Sequence, residues 1–442
     1  MHSEKYSFAA ANPALTADLP TYVHHVLSTL EEHGFEAFLV GGCVRDALLG
    51  TPVHDYDVAT NARPEQVIRL FPHSVPSGLA HGTVTVLLEH QPVEVTTYRT
   101  EAAYSDGRHP DCVMYADSLY EDLERRDFTV NAVAMDRLGR VVDPMGGRFD
   151  LTRRNLRAVG QPRLRFAEDG LRIVRALRFS AQLGFTLDDE THGAMLEQAG
   201  LLRAVSMERV GQELKRIAEK NWFLVLENLA DGPYLESMRT DLTPVKRALQ
   251  KLSRLVRLFP ELGWKRWQTH FGPRACGSDT LDPWLAATAL WVSYIPDHTD
   301  VRTVLRSLAW NKSLLKGSVS TAAIVRSRPW TWSMERWFYA IYEQDMLAIR
   351  TACALCDFLN AENTRLSCQS LFQTALTRTP LRRAKDLAVD GRDLTALGLR
   401  GSEVGAAIRT LVHAVLSGKS TNNKDELIPI ALKTERIIDN EN

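Results

Sequence analysis

The sequence predicts an α+β multidomain chain, with a mixed sheet and its helices in a head over residues 1–150 and an all-helical remainder. Three observations predict it. Short Val- and Thr-rich runs bounded by Gly, Pro or His fill the first 150 residues, and this strand signal fades after Gly147. Apolar residues then recur at helical spacing almost to the C-terminus. The 442 residues also exceed what one hydrophobic core usually serves.

In chain order, Phe35–Val40 reads as a strand ending at Gly41-Gly42, and Val44–Leu49 as a short helix. Asp55–Ala59, Thr83–Leu88 and Val93–Tyr98 read as strands, as does Val141–Asp143, which Pro144 and Gly146-Gly147 stop. Residues 101–122 are polar and read as a mobile surface loop. Beyond them Glu168–Leu183 and Ser206–Glu219 are expected helices. Glu403–Leu416 is expected as the last helix, with Val404, Ile408, Leu411, Val412 and Val415 on one stripe before Gly418.

Composition narrows the function classes. A hydrophobic share of 45% with 24% charged residues excludes wholesale disorder and a coiled-coil rod. No apolar run approaches the roughly 20 residues of a membrane span, and no secretory signal is visible at the N-terminus. The six cysteines are too sparse for a disulfide scaffold, so a reducing, cytoplasmic setting is expected. Cys353 and Cys356 have zinc-ligand spacing, but with Cys368 alone they do not complete four ligands; a buried thiol pair is expected. The net charge of −1 hides an asymmetry. Residues 1–140 carry ten Lys and Arg against twenty Asp and Glu, and the rest carries forty-three against thirty-four. Eight arginines and two acids fall between 153 and 178. An acidic head before a basic body suits a metal site beside a polyanion-binding surface; solvated arginine helices are the alternative.

Asp55 and Asp57 stand two apart at the start of a predicted strand, which places both side chains on one face. Two adjacent carboxylates repel unless a cation joins them, and Mg²⁺ takes one or two carboxylates plus phosphate oxygens and waters. A bare D-x-D is more often an exposed turn. Upstream, Gly41 and Gly42 lie between strand and helix, where backbone N–H groups can approach a phosphate, and Arg45 can reach the same anion. His54-Asp55 also suggests a metal phosphohydrolase, but the further His and Asp ligands on surrounding helices are missing.

The run Gly41-Gly-Cys-Val-Arg-Asp-Ala-Leu-Leu-Gly50 followed by Asp55-Tyr-Asp-Val58 resembles the signature of class II tRNA nucleotidyltransferases and bacterial poly(A) polymerases, of the polymerase β-like superfamily. Further matching segments follow in order: Glu94–Arg99, Tyr104–Asp111, Arg125–Ala132, Asp143–Gly147 and Arg165–Arg172. The likeness runs from about 35 to 220 and more loosely beyond, where Leu387–Leu394 is the clearest piece. It implies a nucleotidyltransferase head over 1–150 and a helical neck with a nucleotide-selecting helix over 151–220. An RNA-binding helical body over 221–380 and a tRNA-binding helical tail over 381–442 would follow.

The resemblance implies that Asp55 and Asp57 bind two Mg²⁺ ions. Glu94, on a neighbouring predicted strand, is the candidate for a third carboxylate; an exposed strand residue is the alternative. On the predicted helix Glu168–Phe179, Asp169, Arg172 and Arg175 share one side. An Asp accepting from an exocyclic amine and an Arg donating to a ring nitrogen would satisfy cytosine or adenine. Uracil or guanine would turn a carbonyl toward the carboxylate. The resemblance assigns that selection to Asp169 and Arg172, and assigns triphosphate binding or positioning to Arg126, Arg175 and Arg178, with Gly42 and Arg45 on the phosphates.

Two departures stand out: Gln161 where the family often has Asp, and Gly170 inside the selecting helix, where glycine costs about 1 kcal/mol. The implied reaction adds CMP, CMP and AMP from CTP and ATP to a tRNA 3′ end. The acceptor–TΨC arm would be gripped through phosphates and shape. Arg216, Lys246, Arg247, Lys251, Arg254, Arg257, Lys265 and Arg266, interleaved with Trp264 and Trp267, are the body's candidate RNA contacts; helices with core Trp are the alternative. A family loop at 101–122 argues against CC-only addition. A-only addition or poly(A) polymerisation, and more remotely an idle RNA-binding module, remain alternatives. A monomer or homodimer without membrane contact is expected.

Overall fold

The computed structural model describes residues 6–9, 12–16, 19–101, 113–240, 242–259, 262–271, 281–295, 306, 311–360 and 367–438. It divides into two compact units, Met1–Thr243 and Pro244–Asn442.

In the first unit, α1 (Thr21–Glu32) precedes β1 (Ala37–Val40), α2 (Gly42–Leu48), β2 (Asp57–Thr60) and α3 (Pro64–Leu70). Then come β3 (Ser74–Gly78), β4 (Thr83–Leu88), β5 (Gln91–Thr97), β6 (Arg99–Glu101), β7 (Val113–Tyr115), α4 (Leu119–Glu124), β8 (Ala134–Met135) and β9 (Val141–Val142). Seven strands form one sheet in the order β3-β4-β5-β2-β1-β8-β9. Only the β2–β5 pair is parallel among these ladders. β1 is apolar throughout and buried at all four positions because both sheet faces are covered. Leu39 packs with Val23, Val26, Leu27 and Leu30 of α1, while Phe38 and Val40 pack with Tyr98, Leu119 and Leu123. Each such buried side chain contributes about 1.5–3 kcal/mol.

The expected strands stand within a few residues of their predicted ends. β3 goes beyond the expectation: Pro76 and a register shift between Val75 and Gly78 mark it as an edge strand with little periodicity. The expected loop over 101–122 is largely ordered at its flanks. β6 pairs with β7, and Ser118 caps α4, whose Leu119 and Leu123 are buried. Residues 102–112 lie outside the described residues.

Next come α5 (Gly147–Arg153), β10 (Asn155–Leu156), α6 (Pro162–Glu168), α7 (Leu171–Leu183), β11 (Thr186–Leu187), α8 (Asp189–Glu197), α9 (Met207–Ala218) and α10 (Leu226–Asp231). The helical stretch is interrupted by the parallel β10–β11 pair. The continuous helix expected over Glu168–Leu183 is broken at Asp169-Gly170. Gln161 occupies the N-cap of α6 and makes no side-chain cap, with Pro162 at the first position. An Asp there would cap the helix, so this departure removes a cap worth about 1 kcal/mol.

The chain continues through α11 (Thr243–Leu258), α12 (Trp264–Phe271), α13 (Pro283–Tyr294), α14 (Lys312–Arg326), α15 (Met334–Glu343), α16 (Met346–Leu359) and α17 (Cys368–Arg378). It ends with α18 (Gly391–Ala396), α19 (Ser402–Leu416) and α20 (Lys424–Ile438). Leu411, Val412 and Val415 of α19 are buried as expected, but α19 is not the last helix: Leu427 and Ala431 of α20 complete the same core. Several body candidates serve packing instead of an exposed surface. Trp267 is buried against Phe271 and Phe358, and Lys246 is buried. Arg266 donates to the carbonyls of Asp357, Phe358 and Asn360 at the end of α16. Arg247, Lys251, Arg254, Arg257 and Lys265 stay exposed. Cys353 and Cys356 are buried free thiols on α16; burial pushes Cys353 up, and a hydrogen bond with Cys368 pushes Cys356 up. Among the described residues no helix is long and apolar enough to cross a membrane.

Gly147 ties α5 to the sheet's periphery. A Cβ there would stand 2.1 Å from the Thr129 carbonyl oxygen and 2.6 Å from Val133 Cγ2. Gly147→Ala is therefore expected to destabilise the first unit by about 3 kcal/mol, read as a lower transition midpoint in calorimetry. An unchanged midpoint would contradict this packing.

Candidate active site

One cleft of about 760 Å³ in the first unit is lined by every predicted site residue: Gly42, Arg45, Asp55, Asp57, Glu94, Arg126, Asp169, Arg172, Arg175 and Arg178. Its floor is built at the end of β1. Gly41 has φ +72°, and a Cβ there would lie 3.0 Å from Arg126 Nη1 and 3.9 Å from Asp57 Oδ2. The glycine serves both a left-handed turn and the close approach of these two groups. Gly42 opens α2, which carries Arg45 one turn on. Arg45 is buried, binds Asp46 with Nε and Nη2 at 2.8 and 3.0 Å, and donates from Nη1 to Asn131 at 2.8 Å.

The carboxylates come from two adjacent strands. Asp57 faces Glu94 in the parallel β2–β5 register, and the Glu94 amide donates to the Tyr56 carbonyl at 3.2 Å. Asp55 precedes β2, so the expected two-residue strand repeat does not hold for it; the ladder begins only at Tyr56. Burial pushes the Asp57 carboxyl up to about 6, aided by the charges of Glu94 and Asp55 and opposed by Arg126. Among the described residues no Lys or Arg forms an ion pair with any of the three acids.

This bare group of acids fits a divalent cation, which would remove the repulsion. Among the described residues, no group of three His, Cys, Asp or Glu side chains stands so that it could hold a metal ion by itself. Ligands would therefore have to be completed by phosphate oxygens and water, the habit of Mg²⁺.

The same cleft is lined by a row of guanidinium groups. Arg172, Arg175 and Arg178 recur every three residues on α7. Arg172 donates to Glu168, to the Arg165 carbonyl at 2.9 Å and to the Arg125 carbonyl at 3.2 Å. Arg175 binds Asp127, whose carboxyl is held down at about 2: burial raises it, but Arg175, Asn131 and Arg172 prevail. Arg178 lies 2.5 Å from Glu213, and its guanidinium sits 3.8 Å over the Phe179 ring. Burial, with Arg175 alongside, pushes Arg178 down to about 10 despite Glu213. Arg126 and Arg125 share buried Asp122, which they hold below its ordinary value against burial.

The break between α6 and α7 corrects the expected selecting helix. Asp169 is extended (φ −147°), and its Oδ1 accepts from the Leu171 amide at 3.0 Å. Gly170 is a junction residue and not a helix-interior glycine; its missing Cβ would stand 3.0 Å from the Leu201 carbonyl oxygen. Asp169 and Arg172 line the same cleft, and the Arg172 amide donates to the Asp169 carbonyl at 3.0 Å, yet their side chains do not pair. Arg209 on α9 takes Asp169 instead, at 3.3 and 2.7 Å. Sequence reasoning passes over Asp127, Asn131, Arg209 and Glu213. The signal available was α9 itself, where Arg209, Glu213 and Arg216 fall at i, i+4 and i+7 on one face.

Because the native Asp57 carboxyl titrates near 6, against 3.8 when unfolded, it holds its proton in the native state across that window. Without metal, this acid costs stability as pH rises from about 4 to 6. A divalent cation must displace the same proton, so its affinity is expected to rise about tenfold per pH unit below 6 and flatten above. Mn²⁺ titrations of wild type and Asp57→Asn check this; a variant that keeps the slope would remove Asp57 as its source.

Residues 37–157 match the family described as "Poly A polymerase head domain", and 184–231 the one described as "Probable RNA and SrmB- binding site of polymerase A". A CCA-adding enzyme of Geobacillus sp. (strain WCH70) is 35% identical over 410 residues, covering 91% of this chain and 94% of that protein. The CCA-adding enzyme of Geobacillus stearothermophilus is 35% identical over 428 residues, covering 93% and 96%. The crystal structure of the Bacillus stearothermophilus CCA-adding enzyme in complex with CTP is similar at a TM-score of 0.73 with 28% identity, covering 95% of this chain and 98% of that one. The Thermotoga maritima CCA-adding enzyme complexed with tRNA shares the fold at a TM-score of 0.62 and 19% identity, covering 96% and 99%.

Proposed function

The chain belongs to the CCA-adding enzymes, and on that premise we propose how its residues divide the work. It is a tRNA nucleotidyltransferase that adds CMP, CMP and AMP from CTP and ATP to the tRNA 3′ end, releases pyrophosphate and depends on divalent metal. The observation that carries the residue-level reading is one cleft lined both by carboxylates without an ion-pair partner and by guanidinium groups fixed by acids.

In this reading the metal is Mg²⁺, held by Asp55 and Asp57 with Glu94 as a third carboxylate. When bound, the ions acidify the terminal ribose 3′-hydroxyl and offset charge on the departing pyrophosphate. The 3′-oxygen forms a bond to the α-phosphorus as the bond from that phosphorus to pyrophosphate breaks. Gly42 and Arg45 meet the phosphates, and Arg126, Arg175 and Arg178 hold the triphosphate or position the selector. Asp122, Asp127 and Glu213 keep those arginines in place, so little reorganisation accompanies binding.

Asp169 accepts from the exocyclic amine of cytosine or adenine, and Arg172 donates to the ring nitrogen. The contacts of Arg172 with Glu168 and two carbonyls support its fixed orientation. The finer division of the chain is read as head 1–150, neck 151–220, body 221–380 and tail 381–442. A core whose buried members run from Leu381 to Ala431, with Phe338, Tyr339 and Tyr342 of the body packed against it, supports the tail. The free thiols support a cytoplasmic location.

Asp57→Ala is expected to lower CMP and AMP addition by about 10³-fold or more while tRNA affinity holds within about twofold, measured by gel extension and filter binding. Equal activity would refute the metal assignment. Arg172→Ala is expected to bring UTP and GTP misincorporation within reach of the correct nucleotides. A variant as selective as wild type would count against Arg172 in base choice.

A further inference from the structure

The ion pair between Asp169 and Arg209 joins the segment ahead of α7 to α9. Arg209 donates Nη1 to Oδ1 at 3.3 Å and Nη2 to Oδ2 at 2.7 Å, the forked geometry that fixes the plane of a carboxylate. The Leu171 amide adds a third donor on Oδ1 at 3.0 Å. Of the roughly four acceptor sites of a carboxylate, one on Oδ2 then remains. The side chains are 24% and 15% exposed, so the pair is shielded well beyond an ordinary surface pair. Both residues line the cleft.

We propose that Arg209 is a positioning residue for base choice, acting by locking the Asp169 carboxylate so that a single acceptor is offered to the incoming base. The inference rests on the reading of Asp169 as a base-contacting residue. A locked, acceptor-only carboxylate penalises a carbonyl edge because it cannot turn away; a carboxylate held by the Leu171 amide alone can. A lysine would keep the charge but supply no planar fork. The rest of the α9 face fits the same task. Glu213, one turn on, stands 2.5 Å from Arg178 and 3.9 Å from Arg175, so α9 steadies the acid and two arginines of the same cleft together.

The experiment measures kcat/KM for CTP and UTP on full-length tRNA ending at the discriminator base, in wild type, R209A, R209K, D169A and D169A/R209A. In R209A the CTP:UTP ratio is expected to fall roughly tenfold or more, with tRNA affinity unchanged by filter binding. R209K is expected to lose selectivity too, and it carries the test if R209A does not fold. In the D169A background, R209A is expected to change the ratio no further. If D169A lowers the ratio and both Arg209 variants keep it, the inference fails while the reading of Asp169 stands. If D169A itself keeps the ratio, the reading beneath it fails. An undiminished effect of R209A in the D169A background would show that Arg209 acts by another route and would overturn the inference.

Discussion

Asp57 is held in a half-buried position beside Glu94 and near Asp55, and none of the three has an ion-pair partner among the described residues. The acids around them are treated differently: Asp122 binds Arg125 and Arg126, Asp127 binds Arg175, Asp136 binds Arg140 and Asp150 binds Arg157. Arg126 is the informative case. Its Nη1 lies 3.0 Å from the Cβ position of Gly41, beside Asp57, yet its hydrogen bonds go to Asp122 and the Asn131 carbonyl. The fold thus leaves uncompensated negative charge at one point, at a cost on the order of 2–3 kcal/mol at neutral pH. A cation held there, as proposed, would offset that cost. Affinity for the ion and instability without it are two sides of one arrangement.

The row of guanidinium groups solves the opposite problem. Nine arginines line one cleft, and eight of them, at positions 45, 125, 126, 172, 175, 178, 209 and 216, are each tied to an acid of their own surroundings. Without those acids, mutual repulsion and burial would drive the arginines apart or into solvent. With them, the positive groups are fixed before a triphosphate arrives, which is what electrostatic preorganisation requires. The strain still shows at Arg178, pushed down to about 10 by burial and its neighbour Arg175.

Legibility from sequence followed the range of each interaction. β1, β4 and β5 were readable because alternation and apolar runs are local signals. The glycine turn and the Asp pair were readable because their chemistry needs fixed residue types at short spacing. The partners were not. Asp127 with Arg175 and Asp169 with Arg209 are separated by 48 and 40 residues, and nothing in one segment announces the other. Body residues failed for a related reason. Trp267 and Arg266 look like an RNA-binding pair in sequence, but core packing and the carbonyls at the end of α16 claim them first. The edge strand β3, carrying Pro76, was invisible because an edge needs no strict period.

The misread helix break has a physical consequence of its own. In a continuous helix Asp169 and Arg172 would stand at i and i+3, close enough to pair with each other. An acid and an arginine satisfied by one another present little to a base. The break at Asp169-Gly170, permitted because Gly170 has no Cβ to meet Leu201, turns Asp169 out of the helical track. The two groups then take different partners, Arg209 for the acid and Glu168 for the arginine. Each is held rigid without being cancelled by the other. A glycine that propensity alone counts as a defect is therefore what keeps an acceptor and a donor side by side in the cleft.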